Sequence, residues 1–94
     1  MIGSYIRQLR EDQGYLLRQL AAMIDIDATI LSKMEREERV FKREHIIALS
    51  KVFKLEEEKL LTIWLADRIE GVLKNEKCAI KALELIKEKK NNEA

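Results

Sequence analysis

The 94-residue chain has no proline, three glycines, one cysteine and one histidine. Without proline, no helix is forced to kink or stop for want of a backbone N–H. A single cysteine excludes an internal disulfide and a cysteine-based zinc site. The lone histidine, His45, leaves no Ser/His/Asp set to assemble and is expected on a helix surface. No glycine-rich phosphate loop is present. No apolar run is long enough to span a bilayer, and Arg7, Arg10, Glu11 and Asp12 interrupt what would be the apolar core of a signal peptide. The expectation is a reduced, cytoplasmic protein with no membrane role. Charge of one sign is scarce as well: 18 Lys and Arg face 17 Asp and Glu, a net charge of +1. That balance speaks against a protein that coats nucleic acid by bulk charge.

What is present is apolar and helical. Hydrophobic residues make up 47% of the chain and charged residues 37%, enough for a small core and unlike a disordered tail. The length fits one domain, or one domain with an appendage. No segment alternates strictly, so strands are not expected. Gly14 and Gly71 each follow a helical stretch and suit left-handed C-terminal caps. The periodicity predicts six helices, over about 4–13, 17–23, 28–36, 43–53, 56–73 and 76–90. Ser4 and Asp27 are the expected N-caps of the first and third. Glu56, Glu57 and Glu58 suit the positive end of the fifth helix, and Lys87, Lys89 and Lys90 the negative end of the sixth. The last four residues are expected to fray.

The second and third segments are short and closely joined, the pattern of a helix-turn-helix. Ala21 fills the position facing the partner helix, where a larger side chain would push the two apart. Leu20, Ile24, Ile26, Leu31 and Met34 supply the apolar set that holds their angle. Ala28, Thr29, Ser32 and Lys33 are left on the outer side of the third helix, small and polar enough to approach base edges in a major groove.

The stretch GYLLRQLAAMIDIDATILSKMEREER resembles the helix-turn-helix of the Cro/C1 (XRE) family of phage and bacterial repressors. Gly14, Leu20, Ala21, Ile24, Ile26, Asp27, Leu31, Met34, Glu35 and Arg36 carry the likeness. REHIIALSKVFKL is similar to the family's fourth helix, and the match spans about residues 2–65. The resemblance implies an all-α, lambda-repressor-like domain of five helices, here with an additional C-terminal helix, that dimerises on a palindromic operator. By position it puts base contacts on Asp27, Ala28, Thr29 and Lys33. It puts backbone contacts at the start of the second helix, where Arg18 or Gln19 would replace the contact Leu17 cannot make, and after the third, where Arg36, Arg39 and Lys42 stand. It also implies a structural ion pair between Arg10 and Glu35. Three residues depart from the family: Leu16 replaces a Ser or Thr cap, Leu17 a phosphate-binding Gln, and Glu37 a Gly. A Cβ in a left-handed cap costs about 1 kcal/mol, so the third helix is expected to end differently or to run on towards Glu38.

Residues 1–54 hold ten basic and eight acidic side chains, and five of the basic ones (Lys33, Arg36, Arg39, Lys42, Arg43) lie on or just after the third helix. Phosphate contact is their expected work, and Glu37 and Glu38 are expected to point away from it. Asp25 and Asp27 lack the company a metal site needs, and Cys78 is read as a small apolar residue of the last helix. No catalytic residue, metal, cofactor or small-molecule ligand is expected, and the chain is not read as an enzyme. The fifth and sixth helices carry more apolar surface than a domain this small can bury, so Leu61, Trp64, Leu65, Ile69 and Val72 are assigned to a homodimer interface. Residues 1–66 then form the DNA-binding domain and 67–94 a dimerising extension. The reading is a sequence-specific transcriptional regulator of double-stranded DNA. Its size and organisation resemble the controller proteins of restriction-modification systems. The alternatives are an antitoxin and a protein-interaction module that has lost DNA binding.

Overall fold

The structure, a computed structural model, describes residues 1–93. It contains helices α1 (Ile2–Asp12), α2 (Leu17–Met23), α3 (Ala28–Glu35), α4 (Arg43–Val52), α5 (Glu57–Leu73) and α6 (Ala79–Glu93), and no strand among the described residues. The core takes side chains from the first five: Ile6, Leu20, Leu31, Ile46, Leu49 and Leu60 are fully buried. Each contributes about 1.5–3 kcal/mol relative to exposure. α3 packs on both α1 and α2, α4 lies along α5, and α1 touches α5. α6 buries no residue at all. It stretches the molecule to 42 Å and gives a radius of gyration of 15.3 Å, against about 12 Å for a compact chain of this length.

The first four helices end in the same hydrogen-bonded turn, and only one of the four uses glycine. In each, a residue with positive φ donates back to the carbonyl three before it, and the next residue donates to the carbonyl five before it, which is the Schellman closure. The positive-φ residues are Gly14 (75°), Asp25 (56°), Glu37 (63°) and Lys54 (55°). The longer bonds are Tyr15 N to Arg10 O (3.0 Å), Ile26 N to Ala21 O (3.0 Å), Glu38 N to Lys33 O (2.8 Å) and Leu55 N to Ser50 O (2.9 Å). After α2 and α4 an apolar side chain (Ile26 or Leu55) packs against the core. Packing of that residue offsets the roughly 1–2 kcal/mol that a left-handed Cβ costs.

Several expectations from the sequence are corrected here. Glu37 does not divert the end of α3: it takes the left-handed conformation itself, with its N–H bonded to Met34 O at 3.1 Å. Gly71 caps nothing and lies inside α5, and Asn75 (φ 66°) makes the turn instead. Ser4 is not the N-cap of α1. The helix starts two residues earlier because Asp67 of α5 accepts the otherwise unpaired Ile2 N–H at 3.2 Å, and Ser4 Oγ donates back to Met1 O. The predicted start of α6 at residue 76 is also early. Residues 76–78 form a turn, Cys78 is exposed ahead of α6, and the helix runs to Glu93.

Gly3 positions the site from behind. It is buried where α1 crosses the C-terminal end of α3, and a Cβ built there would lie 2.4 Å from Met34 O and 2.8 Å from Glu35 O. Both are backbone atoms that cannot swing aside. Gly3→Ala therefore forces α1 and α3 apart, at about 1–3 kcal/mol of overpacking, against a gain of at most about 1 kcal/mol in helix propensity. Urea unfolding should show a net loss of about 1–2 kcal/mol. A stabilised Gly3→Ala protein would mean that the close approach does not constrain the fold.

Candidate nucleic-acid interface

The turn between α2 and α3 comprises Ile24, Asp25, Ile26 and Asp27. Ile24 is buried and Ile26 packs on the core, while Asp27 Oδ1 accepts the Thr29 N–H at 2.7 Å and caps α3. α2 has no side-chain cap from Leu16. Instead, Gln19 reaches back one turn and its Oε1 accepts the Leu16 N–H at 2.8 Å, half of a capping box. That engages one end of Gln19 and leaves its NH2 group as the donor for an outside acceptor.

α3 turns Leu31, Met34 and Glu35 inward. At 100° per residue the opposite arc carries Thr29, Ser32 and Lys33. Thr29 and Lys33 are exposed, and Ala28 and Ser32 half-buried. Among the described residues, no ion pair engages Arg18, Lys33, Arg39 or Lys42. Arg36 differs. Its guanidinium is held by Glu38 at 2.9 Å, and its Nε donates to Ser32 O at 3.3 Å. Glu38, two residues along the loop, thus takes up a cation assigned to the backbone, and Arg36 reaches a phosphate only by exchanging partners. Glu37 pairs instead with the Met1 ammonium, away from α3's outer face.

The inner side of α3 is fastened to α1 by Arg10 and Glu35. Arg10 Nε donates to Glu35 Oε2 at 2.8 Å and Nη2 to Oε1 at 3.1 Å, a two-pronged contact, and Nη1 donates to Tyr15 O at 2.9 Å. The Glu35 side chain is 4% exposed and that of Arg10 14%. The hydrogen bonds to Glu35 raise the Arg10 pKa further above its already high value.

After α3, residues 36–42 carry the basic loop into α4. Phe41 is buried, and its carbonyl accepts the Trp64 indole N–H at 2.8 Å. His45 closes the other end: its Nδ1 accepts the Lys42 N–H at 3.0 Å and its ring meets Phe41 edge-on. Partial burial, with the nearby Lys42 charge, lowers the His45 pKa despite the opposing field of Glu44. The neutral ring that this favours is the form that can accept. Expected on the surface, His45 is half-buried and structural.

Trp64 is the interface residue that the structure reassigns. It is 5% exposed within the subunit's own core. The guanidinium groups of Arg43 and Arg68 lie 5.2 and 4.9 Å from its ring centre, cation–π contacts of about 0.5–1 kcal/mol each. Helical geometry explains the reassignment: residues 60, 63, 64 and 67 share the inner face of α5, whereas 61, 65, 69 and 72 form a separate stripe. Leu65, Ile69 and Val72 on that stripe are exposed and Leu61 half-buried. A groove of about 1140 Å³ runs beside it, reached by Val40 and Phe41 of the loop, Ile69 and Val72 of α5, and Leu83 of α6.

Sequence reasoning missed Gly3, Asp67, Phe41 and the Arg36–Glu38 pair. Only Gly3 carried a signal, a glycine just ahead of the first helical run. The others depend on which distant residues the fold brings together. Among the described residues, no three His, Cys, Asp or Glu side chains gather to hold a metal, and no helix is long and apolar enough to cross a membrane.

Two short helices at a tight turn, the second with an uncommitted polar face, define a DNA-binding helix-turn-helix regulator. The sequence agrees: residues 6–60 match the helix-turn-helix (HTH_3, XRE-type) family, and the chain belongs to it. A solved complex of the SinR protein with the SinI protein contains a chain of similar fold. It is 24% identical with a TM-score of 0.58, over 97% of this chain and 99% of that one. No curated protein matches.

The Arg10–Glu35 contact yields a direct test. Removing one partner leaves a nearly buried charge, so Arg10→Met should cost about 3–5 kcal/mol in denaturant unfolding. Arg10→Met combined with Glu35→Leu should recover most of that loss. If Arg10→Met alone leaves stability unchanged, the pair does not hold α3.

Proposed function

We propose that the protein is a homodimeric, sequence-specific regulator that inserts α3 of each subunit into the major groove of a palindromic operator. The observation that carries this is the outer face of α3: Thr29 and Lys33 are exposed and unengaged while every inward side chain is committed to the core or to Arg10. Thr29 and Lys33 read base edges, Ala28 lies against a thymine methyl, and Ser32 adds a contact from its half-buried position. Arg18, Gln19, Arg39 and Lys42 bind the backbone, with Arg36 contributing once it leaves Glu38. Two-fold symmetry puts the half-sites about one helical turn, ~34 Å, apart.

Residues 1–66 hold the DNA-binding surface, and 67–94, together with Leu61 and Leu65 just ahead of them, the assembling one. Support comes from the core, whose last buried apolar residue is Trp64. α5 runs unbroken across the division, so the two parts differ in partner rather than being separated by a linker. The stripe of Leu61, Leu65, Ile69 and Val72, together with the exposed Ile80, Leu83 and Ile86 of α6, is the surface we assign to the second subunit. A helix-turn-helix followed by a short helical extension resembles the controller proteins of restriction-modification systems, and we propose that setting. SinR, the similar structure, is seen in complex with SinI. A partner protein is therefore the alternative occupant of the groove, as it would be for an antitoxin.

A dimer contacting about eight phosphates should show log K falling with log salt at a slope near −7. Lys33→Ala should lose about 1–3 kcal/mol on the preferred duplex and relax sequence preference there. A flat salt response on every duplex would sink the regulator reading. A uniform loss on all sequences would make Lys33 a backbone contact. For the assembly, Ile69→Glu puts a charge in the exposed stripe without touching the core. Sedimentation should show dimer for the parent protein and monomer for the variant, with half-site cooperativity lost. A parent monomer would assign the groove to a different protein.

A further inference from the structure

We propose that Trp64 is a positioning residue for DNA binding, acting through the basic loop of residues 36–42. The inference rests on the DNA-binding reading above and adds to it a residue that lies well behind the DNA-facing surface.

The loop has little structure of its own. Its first residues are tied into the end of α3 by Glu37 N to Met34 O and Glu38 N to Lys33 O. Among the described residues, no backbone–backbone hydrogen bond involves residues 39–41. Yet this stretch opens on Arg39 and leads into Lys42, two of the cations free of any ion pair among the described residues. A charged side chain contributes to backbone binding only if the main chain beneath it holds still, because each loose residue adds an ordering cost on association.

Trp64 supplies the missing polar anchor. Its indole N–H donates to Phe41 O at 2.8 Å, in a buried bond that spans 23 residues of sequence. The Phe41 ring is itself buried, so the loop is pinned at one point by both a side chain and a carbonyl. The same indole bears the Arg43 guanidinium at 5.2 Å, on the first residue of α4. One ring therefore sets the path of the loop and the direction of the first cation after it. No other side chain donates to the carbonyls of residues 39–41 among the described residues.

The test is Trp64→Phe, which keeps an aromatic ring in the core and removes the donor, compared with Ile6→Val, a core truncation in α1 away from the loop. Each is titrated on the preferred duplex at several salt concentrations, at a temperature where both are folded. Trp64→Phe should weaken binding at least about tenfold on all duplexes alike. Its log–log salt slope should become shallower by roughly one to two units per subunit, since each lost phosphate contact is worth about 0.9. Ile6→Val should keep the parent slope even where its melting temperature falls as far. A Trp64→Phe protein with the parent slope overturns the inference and leaves the regulator reading standing. A parent protein with no salt-dependent binding overturns both. Should Trp64→Phe not fold, benzothienylalanine at position 64 replaces the indole N–H by sulfur within the same two-ring shape, and the same slopes decide.

Discussion

The outward face of α3 depends on how the helix is held from the other side. Arg10 grips Glu35 through two nitrogens and gives its third to Tyr15 O. Burying two charges costs several kcal/mol per ion, and such a pair returns that cost only when its geometry is good and its remaining donors are satisfied. Here both conditions are met. Gly3 brings α1 against the last carbonyls of α3, and no side chain at that point could substitute for contact that close. The rear of α3 is fixed by an ion pair and a backbone approach, and Thr29 and Lys33 on its outward side stay exposed.

The near-neutral total charge is an average over opposed local arrangements. The two glutamates after α3 do not oppose DNA in the same way. Glu37 turns to the Met1 ammonium, and Glu38 closes on Arg36. What remains towards the outside is a sparse set of cations on α2, α3 and the loop. In the proposed complex such a set would give weak attraction to arbitrary duplex and leave discrimination to the geometry of a few side chains.

Much of the architecture was legible in the residues. The bounds of α2 follow from Leu17, Leu20 and Ala21 before the turn, and Asp27 announces the start of α3 because its carboxylate has one local use, as a cap. The helix ends were harder. Glycine marks only the turn at Gly14, whereas Asp25, Glu37 and Lys54 adopt the same left-handed turn under the pull of tertiary packing and two hydrogen bonds. A residue-type rule therefore placed a cap at Gly71 and doubted one at Glu37. Trp64 shows the complementary difficulty. Its position on an apolar helix is plain from the sequence, but the choice between core and interface turns on about 60° of helical phase and on the Phe41 carbonyl, 23 residues away. Ser4 was misread for a similar reason: its role as a cap was displaced by Asp67, contributed from a helix far along the chain.

α6 has a consequence of a different kind. A 15-residue helix that buries no side chain lacks the tertiary packing that ordinarily sustains helices of that length, and alone in water such a segment is marginal. Its order is then linked by mass action to whatever covers its apolar residues. Where that cover is another subunit, folding the extension and joining two half-sites become one equilibrium, second order in protein. Occupancy of an operator would rise with roughly the square of the free subunit concentration, so a modest change in synthesis rate would act as a sharp genetic threshold.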